Sequence, residues 1–133
     1  MKKLLIILTI VAVSCQQGKE SEIQAMKDEV MAIHDEVMPK MSELTYARKT
    51  LLAQADSLRE ANPDLAAMYT SMADDISDAN EGMMNWMRNY EPEFSGTEEE
   101  IMQYLKDQKT SIEQVKEQMN NALSKGNEVL GGN

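Results

Sequence analysis

Methionine and histidine are the residues of this chain whose types and spacing could support chemistry beyond packing. His34, Met38 and Met41 would share one side of a helix, because residues three, four and seven positions apart are neighbours on a helical surface. Thioether sulfur and imidazole nitrogen suit Cu(I), and a histidine with a methionine can also hold haem iron. One interpretation is therefore a copper site or a noncovalent haem site, with the candidate ligands His34, Met38, Met41, Met83, Met84 and Met87.

Packing is the other interpretation of these methionines, and the sequence favours it. Pro39 interrupts a helical pattern and is expected to bend the helix in this layer, because proline removes a backbone hydrogen bond. Methionine is flexible and fills the irregular space beside a bend better than branched side chains do. On this interpretation the protein needs no cofactor, and copper or haem remains the alternative.

Catalytic groups are sparse, so we expect a protein that is not an enzyme. The chain has one histidine and lacks a glycine-rich phosphate loop, which leaves carboxylates that are common throughout so acidic a sequence. The densest acidic run lacks the alternating ligands and mid-loop glycine of a calcium loop. It is expected to be a solvated helix face, formed by Asp74, Asp75, Asp78 and Glu81.

The N-terminus has the pattern of an export signal. Two lysines precede residues 4–13, which are apolar except for one threonine and are too short for a bilayer, which needs about 20 apolar residues. The string Ala12-Val13-Ser14-Cys15 resembles a lipoprotein signal, which implies removal of residues 1–14 and lipidation of Cys15. An ordinary secretory signal followed by a lone thiol is the alternative. By resemblance to enteric lipoproteins, Gln16 after the cysteine favours the outer membrane of a bacterial cell envelope.

Removal of the signal leaves a small, strongly acidic domain. Of 133 residues, 119 remain, which suits one domain. The two lysines of the signal are lost, so 11 Lys and Arg face 23 Asp and Glu, and the net charge becomes −12. Such a surface repels phosphate backbones, so nucleic acid is not an expected partner.

Apolar residues recur every three or four positions along the rest of the chain, which predicts an all-α fold. Asn62-Pro63-Asp64 predicts a helix stop and restart, and Thr97 with Glu100 predicts a capping box after the loop at 91–96. We therefore expect a three-helix antiparallel bundle with coiled-coil-like packing. Its predicted parts are a polar tether at 15–22, a helical domain at 23–130 with helices at about 20–60, 63–90 and 98–129, and a disordered tail at 131–133.

The lengths of these helices predict their register. A reversal near residues 61 and 62 puts Met38 level with residue 85, among Met83, Met84, Trp86 and Met87. A second reversal near residues 93 and 94 would bring Met102 to the same height. The methionine layer thus depends on both reversals.

The N-terminal half of the first helix would extend beyond the end of the second, although it is apolar. An exposed apolar stripe usually marks an interaction surface, so it could bind a protein partner or a second copy of the chain. Phe94 and the loop at 91–97 could cover it instead. The candidate contact residues are Ile23, Met26, Val30 and Ile33.

The segment Met31-Ala32-Ile33-His34-Asp35-Glu36-Val37-Met38-Pro39-Lys40-Met41, behind a lipoprotein signal, resembles small helical bacterial lipoproteins catalogued as "viral A-type inclusion protein". The likeness is strongest over residues 26–60. The label reflects coiled-coil similarity and implies no mechanism. The resemblance therefore implies a helical lipoprotein of unassigned function and transfers no catalytic residues.

Overall fold

Two helical segments joined at Pro39 form the first arm of the fold. The computed structural model describes residues 13–131, with side chains from residue 18. Segments α1 (Val13–Val37) and α2 (Lys40–Leu58) make one long helix bent by 31°, which confirms the predicted kink. At the bend, Met41 N–H donates to the Met38 carbonyl at 3.2 Å and Ser42 N–H to the Pro39 carbonyl at 3.3 Å. These three-residue bonds tighten the turn that carries the proline.

Two further helices complete the bundle, and both begin at the predicted caps. In α3 (Pro63–Asn89), the Asn62 side chain accepts a hydrogen bond from Leu65 N–H at 3.2 Å. Before α4 (Glu98–Gly131), the Thr97 N–H donates to Glu100 Oε2 at 2.8 Å and Glu100 N–H donates to Thr97 Oγ1 at 3.3 Å. The all-α, three-helix prediction is confirmed, and residues 13–131 contain no strand.

The tether predicted at 15–22 is helical, because α1 already begins at Val13. Gly131, expected in a disordered tail, is the last residue of α4, and residues 132–133 lie outside the described span. Residues 1–12, which hold most of the predicted signal, also lie outside it. None of the helices described here has both the length and the apolar character needed to cross a bilayer.

Helices α1 and α4 run parallel with a constant offset of 80 positions. Lys19 Nζ is 2.9 Å from Glu99 Oε1, Lys109 Nζ is 2.7 Å from Glu29 Oε2, and Lys116 Nζ is 2.6 Å from Glu36 Oε2. The Lys40–Asn120 hydrogen bond keeps the same offset. Consequently α4 follows the first helix along nearly its whole described length.

This offset corrects the register predicted for the third helix. Met102 is level with Glu22, about 24 Å along the helix from the layer that contains Met38. The prediction assumed a tight reversal near residues 93 and 94. Instead, residues 90–97 run back along the bundle, and eight extended residues can span about 26 Å.

Helix α4 begins level with residue 18 of α1, near the N-terminal end of the first helix, but α3 does not extend that far. Part of the bundle is therefore two helices thick. The end of α3 is level with His34, where Trp86 meets the imidazole. Beyond that level, residues 18–33 of α1 pair with residues 98–112 of α4, and we call this pair the stem. The N-terminal half of the first helix thus extends beyond the end of α3, as predicted, but α4 packs along it, which the predicted register did not anticipate.

The core follows apolar stripes along each helix. On α3, Met68 is 41% exposed, whereas its neighbour Tyr69 and Ala73 are buried. Gly126 is also buried, where α4 approaches both other arms. The buried residues are Val30, Val37, Leu44, Ala47, Leu51, Ala55, Ala66, Tyr69, Ala73, Ile76, Ala79, Met83, Trp86, Leu105, Ile112, Val115, Met119, Ala122 and Gly126.

Candidate functional sites

His34 lies one turn before the bend, between a carboxylate and the only indole of the chain. Its Nδ1 is 2.8 Å from Asp35 Oδ1, and its ring centroid is 5.8 Å from that of Trp86 with the planes tilted by 35°. The side chain of His34 is 17% exposed. A carboxylate at Nδ1 favours the tautomer that carries its proton there, which leaves the lone pair of Nε2 available to a ligand.

The predicted metal ligands differ in burial. Met83 is fully buried in the core, and Met41 and Met87 are half-buried against it. Met38 and Met84 are 36% and 39% exposed. The six predicted ligands therefore span the core and the surface and do not share one environment.

Two facing helix stripes bring most of these residues to one seam. Asn80 Nδ2 donates to Thr45 Oγ1 at 3.4 Å, which fixes the register between α2 and α3. By helical spacing, residues 31, 34, 38 and 41 continue the stripe of Thr45, and residues 84 and 87 continue that of Asn80. We call this arrangement the methionine seam, which comprises Met31, His34, Met38, Met41, Met84 and Met87.

The seam was only partly predictable. The predicted register between the first helix and α3 is confirmed by the His34–Trp86 and Thr45–Asn80 contacts. Met31, which lies one turn before His34, is 37% exposed. Met102 is not part of the seam, because it lies in the stem with Ile23.

A row of aromatic rings extends from Trp86 toward the stem, and sequence reasoning missed it. Trp86 stacks on Tyr90 with centroids 4.8 Å apart, and Tyr104 stacks on Phe94 at 4.3 Å. Tyr90 and Tyr104 join the two pairs at 6.3 Å. Burial, followed by the nearby Tyr104 and Glu93, raises the pKa of Tyr90. The spacing of 86, 90 and 94 by fours was the available signal.

The predicted partner-contact residues lie at the interface of α1 and α4. Val30 is fully buried in the core, whereas Ile23, Met26 and Ile33 are half-buried. Ile23 lines two clefts of the stem, one on each side. Lys19, Glu22, Glu98, Glu99 and Met102 complete the first, and Glu20, Gln24, Lys27, Glu98 and Ile101 complete the second.

The acidic run on α3 forms an exposed face, as predicted. Glu81 Oε1 accepts a hydrogen bond from Arg88 at 2.6 Å, and Asp75 and Asp78 border a shallow cleft with Lys125. Among the described residues, no three His, Cys, Asp or Glu side chains are grouped to hold a metal ion. Cys15 lies in the first turn of α1, and its side chain and predicted lipidation fall outside the described side chains.

No protein-family model, curated protein or solved structure matches this chain. Function is therefore inferred from the residues of the chain and their geometry.

Proposed function

We propose that this protein is a noncatalytic helical interaction module, held at the bacterial cell envelope by lipid on Cys15. The stem is the observation that carries the proposal. Over residues 18–33 and 98–112, the bundle has two helices where the distal part has three, and half-buried apolar side chains lie in clefts at its edges. A pair of helices with accessible apolar side chains in its grooves is suited to bind another helix.

The anchor and the stem would be adjacent in such a protein. Cys15 precedes the stem within the same helix, and a helix rises by about 1.5 Å per residue, so Ile23 would lie about 12 Å from the lipidated residue. A helical connection is stiffer than an irregular polar tether would be. It would hold the stem close to the membrane, with the three-helix part farther away, and the outer membrane remains the membrane favoured by Gln16.

The charge of the stem indicates what kind of partner it would receive. Its two clefts contain four glutamates, Glu20, Glu22, Glu98 and Glu99, against two lysines, Lys19 and Lys27. A second copy of this acidic chain would bring more negative charge to the same place. We therefore propose a partner helix with apolar residues flanked by basic ones, contacting Ile23 and Met26 rather than the buried Val30.

Lipidation is tested by metabolic labelling of the full chain with palmitate in a bacterial host, followed by membrane fractionation. We expect the wild-type chain to take up label and to sediment with membranes. The Cys15→Ala variant should lose the label and leave the membrane fraction. A wild-type chain without label, or a variant that stays equally membrane-bound, would contradict the anchor.

The contact surface is tested separately with a photo-crosslinking residue at position 23. Position 68 is the matched control, because Met68 is exposed on α3 away from the stem. An adduct of one defined mass from position 23, absent from position 68 and reduced by charge reversal at Glu22 and Glu99, supports a basic partner helix. An adduct of twice the mass of the chain would show a second copy instead, and equal yields at both positions would refute the surface.

A further inference from the structure

We propose that the methionine seam binds one soft monovalent cation, Cu(I) or Ag(I). The ligands are Nε2 of His34 and the thioether sulfurs of Met31 and Met38, with Met84 or Met87 supplied by the facing helix. This inference does not depend on lipidation or on the stem contact. Each can therefore fail without the other.

The surroundings of His34 carry the first part of the argument. Asp35 Oδ1 lies 2.8 Å from Nδ1, and a carboxylate in that position is the usual outer partner of a metal-binding histidine. It fixes the proton on Nδ1 and makes Nε2 the electron-pair donor. The side chain of His34 is 17% exposed, so the imidazole lies at the edge of the core rather than within it.

The arrangement of the methionines carries the second part. Met31 and Met38 are one turn before and one turn after His34 on the same helix face, which places two thioethers beside the imidazole. Both are more than a third exposed, whereas large apolar side chains of this helix such as Val37 and Leu44 are fully buried. Across the seam, Met84 is exposed and Met87 is half-buried. Thioether sulfur, a donor that soft cations prefer, is therefore present on both sides of this helix contact.

The types of ligand atom in the seam determine which ion it would bind. Thioether and imidazole ligands favour Cu(I) over Mg²⁺ or Ca²⁺, which need several oxygen ligands. The nearest carboxylate, Asp35, is already hydrogen-bonded to the ring. Haem is less suitable, because Trp86 packs 5.8 Å from the ring of His34 and leaves less room for a porphyrin than for a single ion.

The single tryptophan provides a direct readout of binding. Trp86 lies 5.8 Å from His34, so Ag(I) bound at the seam should quench its fluorescence. The experiment uses the full chain in detergent with Cys15→Ser, which removes the only thiol that could compete. We expect quenching that saturates at one Ag(I) per chain. His34→Gln should abolish the saturable phase, and Asp35→Asn should weaken binding by about tenfold through loss of ring orientation.

A matched methionine control separates the seam from thioethers in general. Met31→Leu with Met38→Leu removes two proposed ligands, and Met68→Leu with Met72→Leu removes the same number of thioethers elsewhere on the bundle. The first pair should weaken Ag(I) binding at least tenfold and the second should leave it unchanged. In methyl-labelled protein, one equivalent of Ag(I) should shift the Met31 and Met38 methyl signals but not those of Met68 and Met119. The proposal would be overturned if both double variants lost Ag(I) affinity equally or if the methyl signals of all methionines shifted. Haem binding without Ag(I) binding would also overturn it.

Discussion

Glu29 and Lys109 lie opposite each other on parallel helices, with Oε2 and Nζ 2.7 Å apart. The same pairing recurs seven residues later between Glu36 and Lys116 at 2.6 Å. A repeat of seven at a constant offset is the pattern of flanking charges in a parallel coiled coil. These ion pairs therefore indicate how α4 finds its register on the first helix.

Exchanging the charges of one pair tests this role. Lys109→Glu should lower the melting temperature, because it places two carboxylates opposite each other, and the loss should shrink as salt screens the surface. Adding Glu29→Lys should restore most of the lost stability, because it rebuilds the ion pair with the two charges exchanged. Melting curves of the two single variants and the double variant at low and high salt measure the coupling. If the double variant is no more stable than the sum of the single effects predicts, the pair does not set the register.

Acid should weaken the same interface. Hydrogen bonds from Lys116 and Lys19 lower the pKa of Glu36 and of Glu99 from 4.5. A carboxylate with a lowered folded-state pKa stabilises the fold above its unfolded pKa and loses that contribution as pH falls through the folded value. We therefore expect the stability difference between wild type and Glu36→Gln/Glu99→Gln to be constant between pH 4.5 and pH 10.5 and to vanish below the folded pKa values of the two glutamates. Denaturation across this range measures it.

Alkali should act through the lysines of the same pairs. The hydrogen bonds that Lys19 donates to Glu99 and Lys109 donates to Glu29 raise the pKa of each lysine from 10.5. Their contribution is present below pH 10.5 and is lost as pH rises through the folded values. Glu43→Gln is the control for both ends of the range, because the same offset of 80 places Glu43 opposite Leu123, with which it shares a cleft. A pH profile in which Glu43→Gln behaves like the paired glutamates would contradict this assignment.

Local signals in the sequence were sufficient for the elements, but not for the placement of α4. Pro39, Asn62 and Thr97 act on their own turns, so the kink and both helix starts could be predicted without knowledge of the rest of the fold. The register of α4 depends on the path of residues 90–97, which no local rule specifies. A long-range signal was nevertheless present, since Glu22, Glu29, Glu36 and Glu43 are seven apart, as are Lys109 and Lys116.

The methionine seam was likewise predictable in register but not in burial. The reversal near residues 61 and 62 predicts which residues of α3 lie level with His34, and the contact between His34 and Trp86 agrees with that register. Which methionines face solvent did not follow, because Met83 and Met84 are adjacent in sequence but only Met84 is exposed. A shift of one residue rotates a side chain by about 100° around a helix, which is enough to move it from core to surface.

Tyr104 should hold the returning loop against α4. Its hydroxyl accepts a hydrogen bond from Glu91 N–H at 2.6 Å, and its ring stacks on Phe94 at 4.3 Å. Tyr104→Phe keeps the stack and removes the acceptor, so we expect a loss of about 0.5–1.5 kcal/mol and faster hydrogen exchange of the Glu91 amide. Tyr104→Leu should cost about 0.5–1.5 kcal/mol more, because the aromatic pair is also lost. Unchanged exchange at Glu91 in Tyr104→Phe would mean that the bond does not order the loop.

Gly126 should not tolerate a large side chain. A Cβ added there would lie 3.3 Å from Ile76 Cδ1 and 3.8 Å from Leu51 Cδ1, where α4 meets both other arms. Gly126→Leu should therefore lower the free energy of unfolding by about 1–3 kcal/mol through overpacking. Gly82 is the matched control on α3, since an added Cβ would meet only the movable end of Gln118, at 3.4 Å. Gly82→Ala should raise stability by about 1 kcal/mol, because alanine is the better helix former. Chemical denaturation of both variants decides the matter, and a Gly126→Leu protein as stable as wild type would show that α4 does not approach Ile76 this closely.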